Sequence, residues 1–473
     1  MALAWTLFVI YLMGTSILGW MGHKKTKGFS SFAIGQGNMS PVYVGITLAA
    51  ATASAATFII NPGFVYVDGL AAFMHLGVGL YMGFTLMLIL MSFQFRRIGS
   101  GAKALTIPDW IGKRFKSKAF SMYFAFLNLL SFAFIVLLVG GISIVMQSLL
   151  GVSNLVALLI TLIFVTSYVL IGGTYAHVYT NLFQGALMII VSLLVLNAGL
   201  GLAPIEEMSK LIQVQDDQLL KWVHEGSTLF GDWYSVYVAG FCIGAALVCQ
   251  PHILTKALYV KSDRDVWRYI LVFSIVFLLF ISLLLSGFFA RLILETGQLV
   301  DAGTGEFRQD LVMTKFLEQV FPEWLFTVVS VVLLAAAMST LDGLLVGIST
   351  ITANDLILNL LPDSEEDSSR ELHMKKAMRA SQVVLIVLAV ATFFVNLNPP
   401  KLLGIFGQVG VYGLVLSAVA PLLVGIWFER FHLAVVWGSS ILALIVYFGL
   451  YFFAQDISWL PDLAWENPAV PAS

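Results

Sequence analysis

The chain has 473 residues, of which 59% are hydrophobic and only 11% charged, with a formal net charge of −2 and a mean hydropathy of +0.92. Soluble domains carry about 25% charged residues, which excludes a water-facing globule, and nothing in this balance suggests a nucleic-acid partner. Runs of roughly 20 apolar residues recur from end to end, enough helix to cross a lipid bilayer. Backbone in hydrocarbon must satisfy its own hydrogen bonds, so these runs are expected to be helices, and the alternating signature of an outer-membrane barrel is absent.

Twelve spans are predicted, at about 2–22, 42–60, 70–93, 119–148, 154–172, 178–200, 233–255, 268–294, 324–353, 378–397, 402–427 and 433–454. The first has no basic residues before it and Lys24, Lys25 and Lys27 after it, so it reads as a retained span rather than a cleaved signal peptide. Assigning alternate loops to opposite sides puts nineteen Lys and Arg on one side, among them Arg96, Arg97, Lys113, Arg114, Lys256 and Arg430. Six remain on the other: Lys210, Lys221, Arg291, Arg308, Lys315 and Lys401. That bias predicts an external N-terminus and external, acid-rich loops at 201–232 and 295–323. Twelve spans leave the ending Trp465-Glu466-Asn467-Pro468-Ala469-Val470-Pro471-Ala472-Ser473 outside. Either the protein has twelve spans or a thirteenth helix is missing from this sequence.

Two spans are interrupted at comparable positions. The second runs through Thr47-Leu48-Ala49-Ala50-Ala51-Thr52-Ala53-Ser54-Ala55-Ala56-Thr57-Phe58 to Asn61-Pro62-Gly63. The seventh runs through Gly240-Phe241-Cys242-Ile243-Gly244-Ala245-Ala246-Leu247-Val248-Cys249 to Gln250-Pro251-His252. Both are rich in small residues, which allow close helix approach, and both end at proline. They lie five spans apart and therefore cross the membrane in opposite directions, as an inverted repeat requires. The repeats are expected at 42–200 and 233–427 of a single 1–473 transmembrane domain, with 2–22 as an extra helix before them and 433–454 after them. Paired interruptions of this kind point to a transporter's binding site. Cys242 and Cys249 stand seven apart on one predicted helix, roughly 10 Å along it, too far to bridge.

In the ninth span, Ala336, Ser339 and Thr340 stand at i, i+3 and i+4, bringing a carbonyl and two hydroxyls to one helix face. A monovalent cation suits such neutral oxygens, and Ala50 and Ala53 in the broken second span could add carbonyls. The other reading is that the hydroxyls bond only their own helix.

Four segments resemble the sodium:solute symporter family: Ala336-Ala337-Met338-Ser339-Thr340; Gly172-Gly173-Thr174-Tyr175-Ala176-His177-Val178-Tyr179-Thr180-Asn181-Leu182-Phe183-Gln184; Gln250-Pro251-His252-Ile253-Leu254; and Ser54-Ala55 with Phe58, Pro62 and Gly63. The proline and pantothenate transporters are the nearest branch, since Asn398-Pro399-Pro400 and Trp427-Phe428-Glu429-Arg430 resemble that group. The resemblance implies an all-α LeuT-type fold with a 5+5 inverted repeat, and alternating access around a midplane solute site. It further implies one sodium ion held by Ala50, Ala53, Ala336, Ser339 and Thr340. A bacterial cytoplasmic (inner) membrane is the expected location, with a small organic solute and the bilayer as partners.

The departures are informative. The family's aspartate in the sixth span is Asn181 here and its nearby arginine is Tyr175, so one ion per cycle is expected. Where proline transporters carry an acid in the second span this chain has Thr52, which argues against proline specificity. The resemblance places the solute between spans 2, 3, 7 and 11. The polar groups there are Thr52, Thr57, His75 and Gln408, with Cys242, Ala245 and Ala246 leaving apolar room. His75 has two readings, as a solute or proton partner or as a neutral histidine bonded within the bundle. Asn181 and Asp342 are expected to act in gating, with Asp342 a helix-capping or gating acid rather than a sodium ligand.

The reading is therefore a sodium-coupled importer of a pantothenate-, amino-acid- or monocarboxylate-like solute. Its rivals are a proton-coupled symporter of the same fold and a transporter-like membrane sensor. An enzyme is not expected, because it would need a cluster of His, Asp or Glu within the spans, and the candidates His75 and Asp342 stand several turns apart on different helices. Direct ATP use is not expected either, because no Gly-x-x-x-x-Gly-Lys-Ser/Thr loop occurs.

Overall fold

The computed structural model describes residues 2–26, 29–35, 37–54, 56–300, 305–360, 367–400, 402–457 and 459–473. Lys27, Ala55 and Lys401, all named above, lie outside the described residues. The main helices are α1 (Ala2–Lys25), α2 (Pro41–Thr52), α3 (Ala56–Gly101), α4 (Lys118–Leu150) and α5 (Asn154–Leu200). They continue as α6 (Tyr234–Leu247), α7 (Pro251–Tyr259), α8 (Asp263–Ile293), α9 (Glu323–Ile357), α10 (Asp367–Leu397), α11 (Leu403–Trp427) and α12 (Leu433–Asp456). Among the described residues, nine helices are long and apolar enough to cross a membrane, and α6 with α7 make a further span bent by 61°. Pro41–Thr52 and Asn154–Leu170 are shorter apolar helices, so every predicted span has a helical counterpart.

The boundaries move where glycine allows a turn too tight for ordinary helix. α3 joins the second half of the broken second span to the third, with Gly69 at φ 60° and ψ −133° between them. α5 joins the fifth and sixth around Gly173, at φ 56° and ψ −148°. An L side chain rarely adopts such dihedrals, and glycine does so freely.

The second span breaks between Thr52 and Ala56. The seventh breaks between Leu247 and Pro251, where Gln250 turns extended (φ −63°, ψ 138°) ahead of the proline. Proline at the first position of the new half costs nothing, because its missing N–H has no helical partner there. α3 and α6 then cross through glycines on both sides. A Cβ on Gly83 would sit 2.0 Å from Phe241 O, and one on Gly244 2.3 Å from Leu80 O. Such small-residue seams let membrane helices approach closely.

α9 is buried along most of its length, from Thr327 to Ile351, and packs on α4 and α5. α1 lies outside it against α5, and α12 against α11. Both outer helices present large apolar side chains outward, including Ile10, Met13, Leu442 and Phe452, as lipid-facing helices do. At the face bearing Arg96 and Arg97, both guanidinium groups pair with Asp263 of α8. Arg114 donates there to Gly425 O (2.6 Å) and Phe428 O (2.8 Å). At the opposite, acid-rich face, the closing segment 459–473 folds over the loop before α6. Ala464 N–H donates to Asp232 Oδ2 (2.8 Å) and Asn467 Nδ2 to Leu229 O (2.8 Å).

Candidate solute and cation sites

The break in the second span decides the chemistry beside it. α2 ends at Thr52 and Ala53 leaves the helix at φ −79°, ψ 81°, so the last carbonyls of α2 have no following turn to bond. α9 runs alongside. Ser339 Oγ lies 2.9 Å from Ala50 O and 2.6 Å from Ala336 O. One hydroxyl hydrogen serves only one acceptor at a time, so three oxygens meet where one proton is available. Thr340 Oγ1 donates to Ala51 O at 3.0 Å. Ala50, Ala53, Ala336, Ser339 and Thr340 are all fully buried. The structure thus brings Ala50, Ala336 and Ser339 together, sets Thr340 against Ala51 rather than Ala50, and puts Ala53 at the break itself.

This donor set fits a sodium ion. It is neutral, oxygen-rich and dry, where a divalent or transition metal wants carboxylates, imidazoles or thiolates. No group of three His, Cys, Asp or Glu among the described residues is arranged to hold a metal. Behind the site, Asn181 Nδ2 donates to Ser339 O at 2.9 Å, which leaves the buried Asn181 Oδ1 without a partner. Asp342 is held away from the site by His177 Nδ1 (2.9 Å), Tyr168 OH (3.1 Å) and Thr180 Oγ1 (3.1 Å).

A cavity opens between the breaks in the second and seventh spans. Thr52, Thr57 and Gln408 line it, together with Asn61, Gln250, His252 and Tyr412. Its apolar wall includes Leu76, Phe84, Phe134, Phe277 and Ile281. No Asp, Glu, Lys or Arg among the described residues lines it. Asn61 Oδ1, Gln250 Oε1 and His252 Nδ1 are buried there with no protein partner. A buried polar atom left unpaired costs about 1–3 kcal/mol, so these atoms are the places where a ligand entering the cavity would gain a hydrogen bond.

Three expected solute residues fall elsewhere. His75 is buried at the α3–α6 contact, its Nδ1 2.6 Å from Ser235 O and its ring 5.2 Å from that of Phe230. Cys242 and Ala246 do not line the cavity, whereas Leu247 and Gln250 do. The reason is the break: helical periodicity stops at Leu247, so the residues that turn inward are those of the break, not those one helical face earlier. Asn61, Gln250 and His252 were missed although each adjoins a proline, Pro62 or Pro251, that marks an interruption. The buried chain through Lys256 and His177 leaves no mark in the sequence, because Lys256 stands just past the end of the seventh predicted span, where basic residues ordinarily flank a membrane.

A family model described as the sodium:solute symporter family matches residues 32–452. The sodium/pantothenate symporter of Haemophilus influenzae is 24% identical over 445 residues, covering 93% of this chain and 87% of that protein. The sodium/proline symporter of Salmonella typhimurium is 23% identical, covering 81% of this chain and 76% of its own. Among solved structures, a sodium-coupled sialic acid symporter in a substrate-bound outward-open state superposes with a TM-score of 0.72. It is 17% identical and covers 99% of this chain and 96% of its own. A nucleobase-cation-symport-1 transporter, closed around bromovinylhydantoin, gives 0.51 at 15% identity, covering 93% and 92%. These likenesses establish the LeuT-type fold.

Proposed function

The chain belongs to the sodium:solute symporter family, and from that premise we propose that it imports a small organic solute together with one sodium ion by alternating access. The observation that carries this reading is the shared wall of the two sites. The α2 segment Ala50–Thr52 supplies oxygens to the cation site through Ala50 and Ala51 and lines the solute cavity through Ala51 and Thr52. An ion that tightens α2 onto α9 therefore sets the position of the cavity wall, which couples the two ligands.

The uncharged lining favours a solute with an apolar body and polar ends. Ala56 and Thr57, at the start of α3, line the cavity, and a carboxylate beside a helix N-terminus gains from the helix dipole. That suits a pantothenate-, amino-acid- or monocarboxylate-like compound, and similarity to pantothenate and proline symporters supports the class. Thr52 in place of an acid argues against proline itself. The basic face is cytoplasmic and the N-terminus external in this reading, with the protein in a bacterial inner membrane. One charge crossing 100 mV is worth about 2.3 kcal/mol and a tenfold sodium gradient about 1.4 kcal/mol. Together they support several-hundred-fold accumulation.

The test is uptake of labelled pantothenate, amino acids and short monocarboxylates into proteoliposomes under an inward sodium or potassium gradient. Sodium should accelerate one class strongly and potassium none. Equal uptake with both cations rejects sodium coupling.

A further inference from the structure

Lys256 is fully buried in α7, an uncommon place for an ammonium. It rests on no carboxylate. Its Nζ donates to Thr47 O of α2 at 2.9 Å and faces His177 Nε2 of α5 at 3.4 Å. His177 Nδ1 meets Asp342 Oδ1 of α9 at 2.9 Å. Ammonium, imidazole and carboxylate thus form an unbroken chain across three helices. With Nδ1–H on the carboxylate, Nε2 turns its lone pair to Lys256, so the resting chain is Lys⁺, neutral His, Asp⁻, with no net charge. Gly343 makes this possible, since a Cβ there would lie 2.8 Å from His177 Cε1.

The chain is anchored on the two helices that build the cation site. Thr47 lies on α2 one turn before Ala50 and Ala51, and Asp342 lies on α9 past Ser339 and Thr340. It also has a way to water. His177 and His252 line a second cavity, with Thr106 and Thr350 on the side of the basic face. His252 lines the solute cavity too. Charged chains buried in membrane proteins mark ion and proton paths.

The other titratable groups around it are few. α7 adds His252, α5 adds Tyr168, and α1 adds Tyr11, which couple electrostatically to Lys256, His177 or Asp342. α2 offers the Thr47 carbonyl alone. The stretch of α3 packed on α7 carries Arg96 and Arg97, both held by Asp263. Tyr259 closes α7.

Building on the sodium reading above, we propose that Lys256 is a proton carrier that releases its proton as sodium binds, so that occupancy by the proton and by the ion is mutually exclusive. On release, one proton leaves Lys256 Nζ, crosses to His177 Nε2 and passes to water in the second cavity. A neutral amine, a neutral imidazole and ionised Asp342 remain. The charge of the chain falls from zero to −1, and the arriving sodium ion restores neutrality. Proton and sodium therefore oppose each other: lowering the pH weakens sodium binding, and one linked proton changes the apparent affinity up to about tenfold per pH unit.

The test uses the purified full chain in weakly buffered detergent with a pH-indicator dye. Sodium chloride is added, N-methylglucamine chloride is the control, and thermal stabilisation by sodium is followed from pH 6 to 9. The wild type should acidify the medium on sodium addition, and its sodium affinity should rise with pH. Lys256→Met with Asp342→Asn removes both charges, so neither is left buried alone as in a single variant. This double variant should still be stabilised by sodium, now without proton release or pH dependence. Sodium stabilisation of the wild type that is flat with pH and releases no proton overturns the proton carrier and leaves sodium coupling standing. Equal proton release by the double variant also overturns it. A wild type indifferent to sodium at every pH overturns this inference and the sodium reading together.

Discussion

Ser339 is where α9 meets the loosened end of α2, and its single hydroxyl hydrogen can serve either Ala50 O or Ala336 O, both within reach of Oγ. Removing one oxygen from the coordination shell of a dry cation leaves that ion a ligand short, and a tenfold change in affinity is about 1.4 kcal/mol. Ser339→Ala is therefore expected to raise the half-saturating sodium concentration about tenfold or more, read from uptake against sodium concentration. Ser339→Ala with Thr340→Ala should abolish sodium-stimulated uptake while far-UV circular dichroism stays unchanged. Undiminished sodium dependence in the double variant would remove these oxygens from the site. Asn61 and Gln250 separate solute from ion. Their unpaired oxygens face the cavity, so Asn61→Leu or Gln250→Leu should raise the solute KM about tenfold. Sodium-induced stabilisation should not move. A loss of sodium response with unchanged KM would place those side chains in ion binding.

The elements owe their geometry to a few backbone positions. Gly69 combines a positive φ with a contact that leaves no room, since a Cβ there would be 2.0 Å from Leu219 O. Gly69→Ala is expected to cost more than the 1–3 kcal/mol typical of a strained residue alone, read as a large drop in melting temperature or loss of folded protein. Gly438 in α12 faces open space, with no atom within 4 Å of where a Cβ would stand, so Gly438→Ala should be neutral or slightly stabilising. Similar losses at both sites would contradict the geometric account. The helices themselves were readable, because runs of apolar residues long enough for a bilayer admit little else. The joins at Gly69 and Gly173 were not. Each is a single-residue turn inside a continuous apolar stretch, and hydropathy does not register it.

At the scale of the molecule, the closing segment behaves as part of the body rather than as a tail. Ala469, Val470 and Ala472 are buried, and Asn467 and Ala464 bond the 229–232 loop. Removing 459–473 should lower the melting temperature by several degrees, as a loss of about 2 kcal/mol or more does for a chain of this kind. An unchanged melting temperature would show that the segment contributes nothing to the fold.

What the sequence determined by itself follows from local chemistry. Composition decided the membrane, apolar run length decided the helices, and Pro62 and Pro251 marked where two of them break. The Ala336–Ser339–Thr340 spacing put the oxygens on one helical face, and Thr52, Thr57 and Gln408, which the resemblance singles out, line the cavity. Tertiary structure decided which side chains a break turns inward, which is why Asn61, Gln250 and His252 line the cavity while His75, Cys242 and Ala246 do not. It also decided the company of Lys256. Beside Lys261 and Arg264 it reads as one more basic residue at the membrane edge. Only the 61° bend between α6 and α7 carries its ammonium into the core against Thr47 and His177, because the direction of a chain after a break depends on what it packs against and not on its own residues.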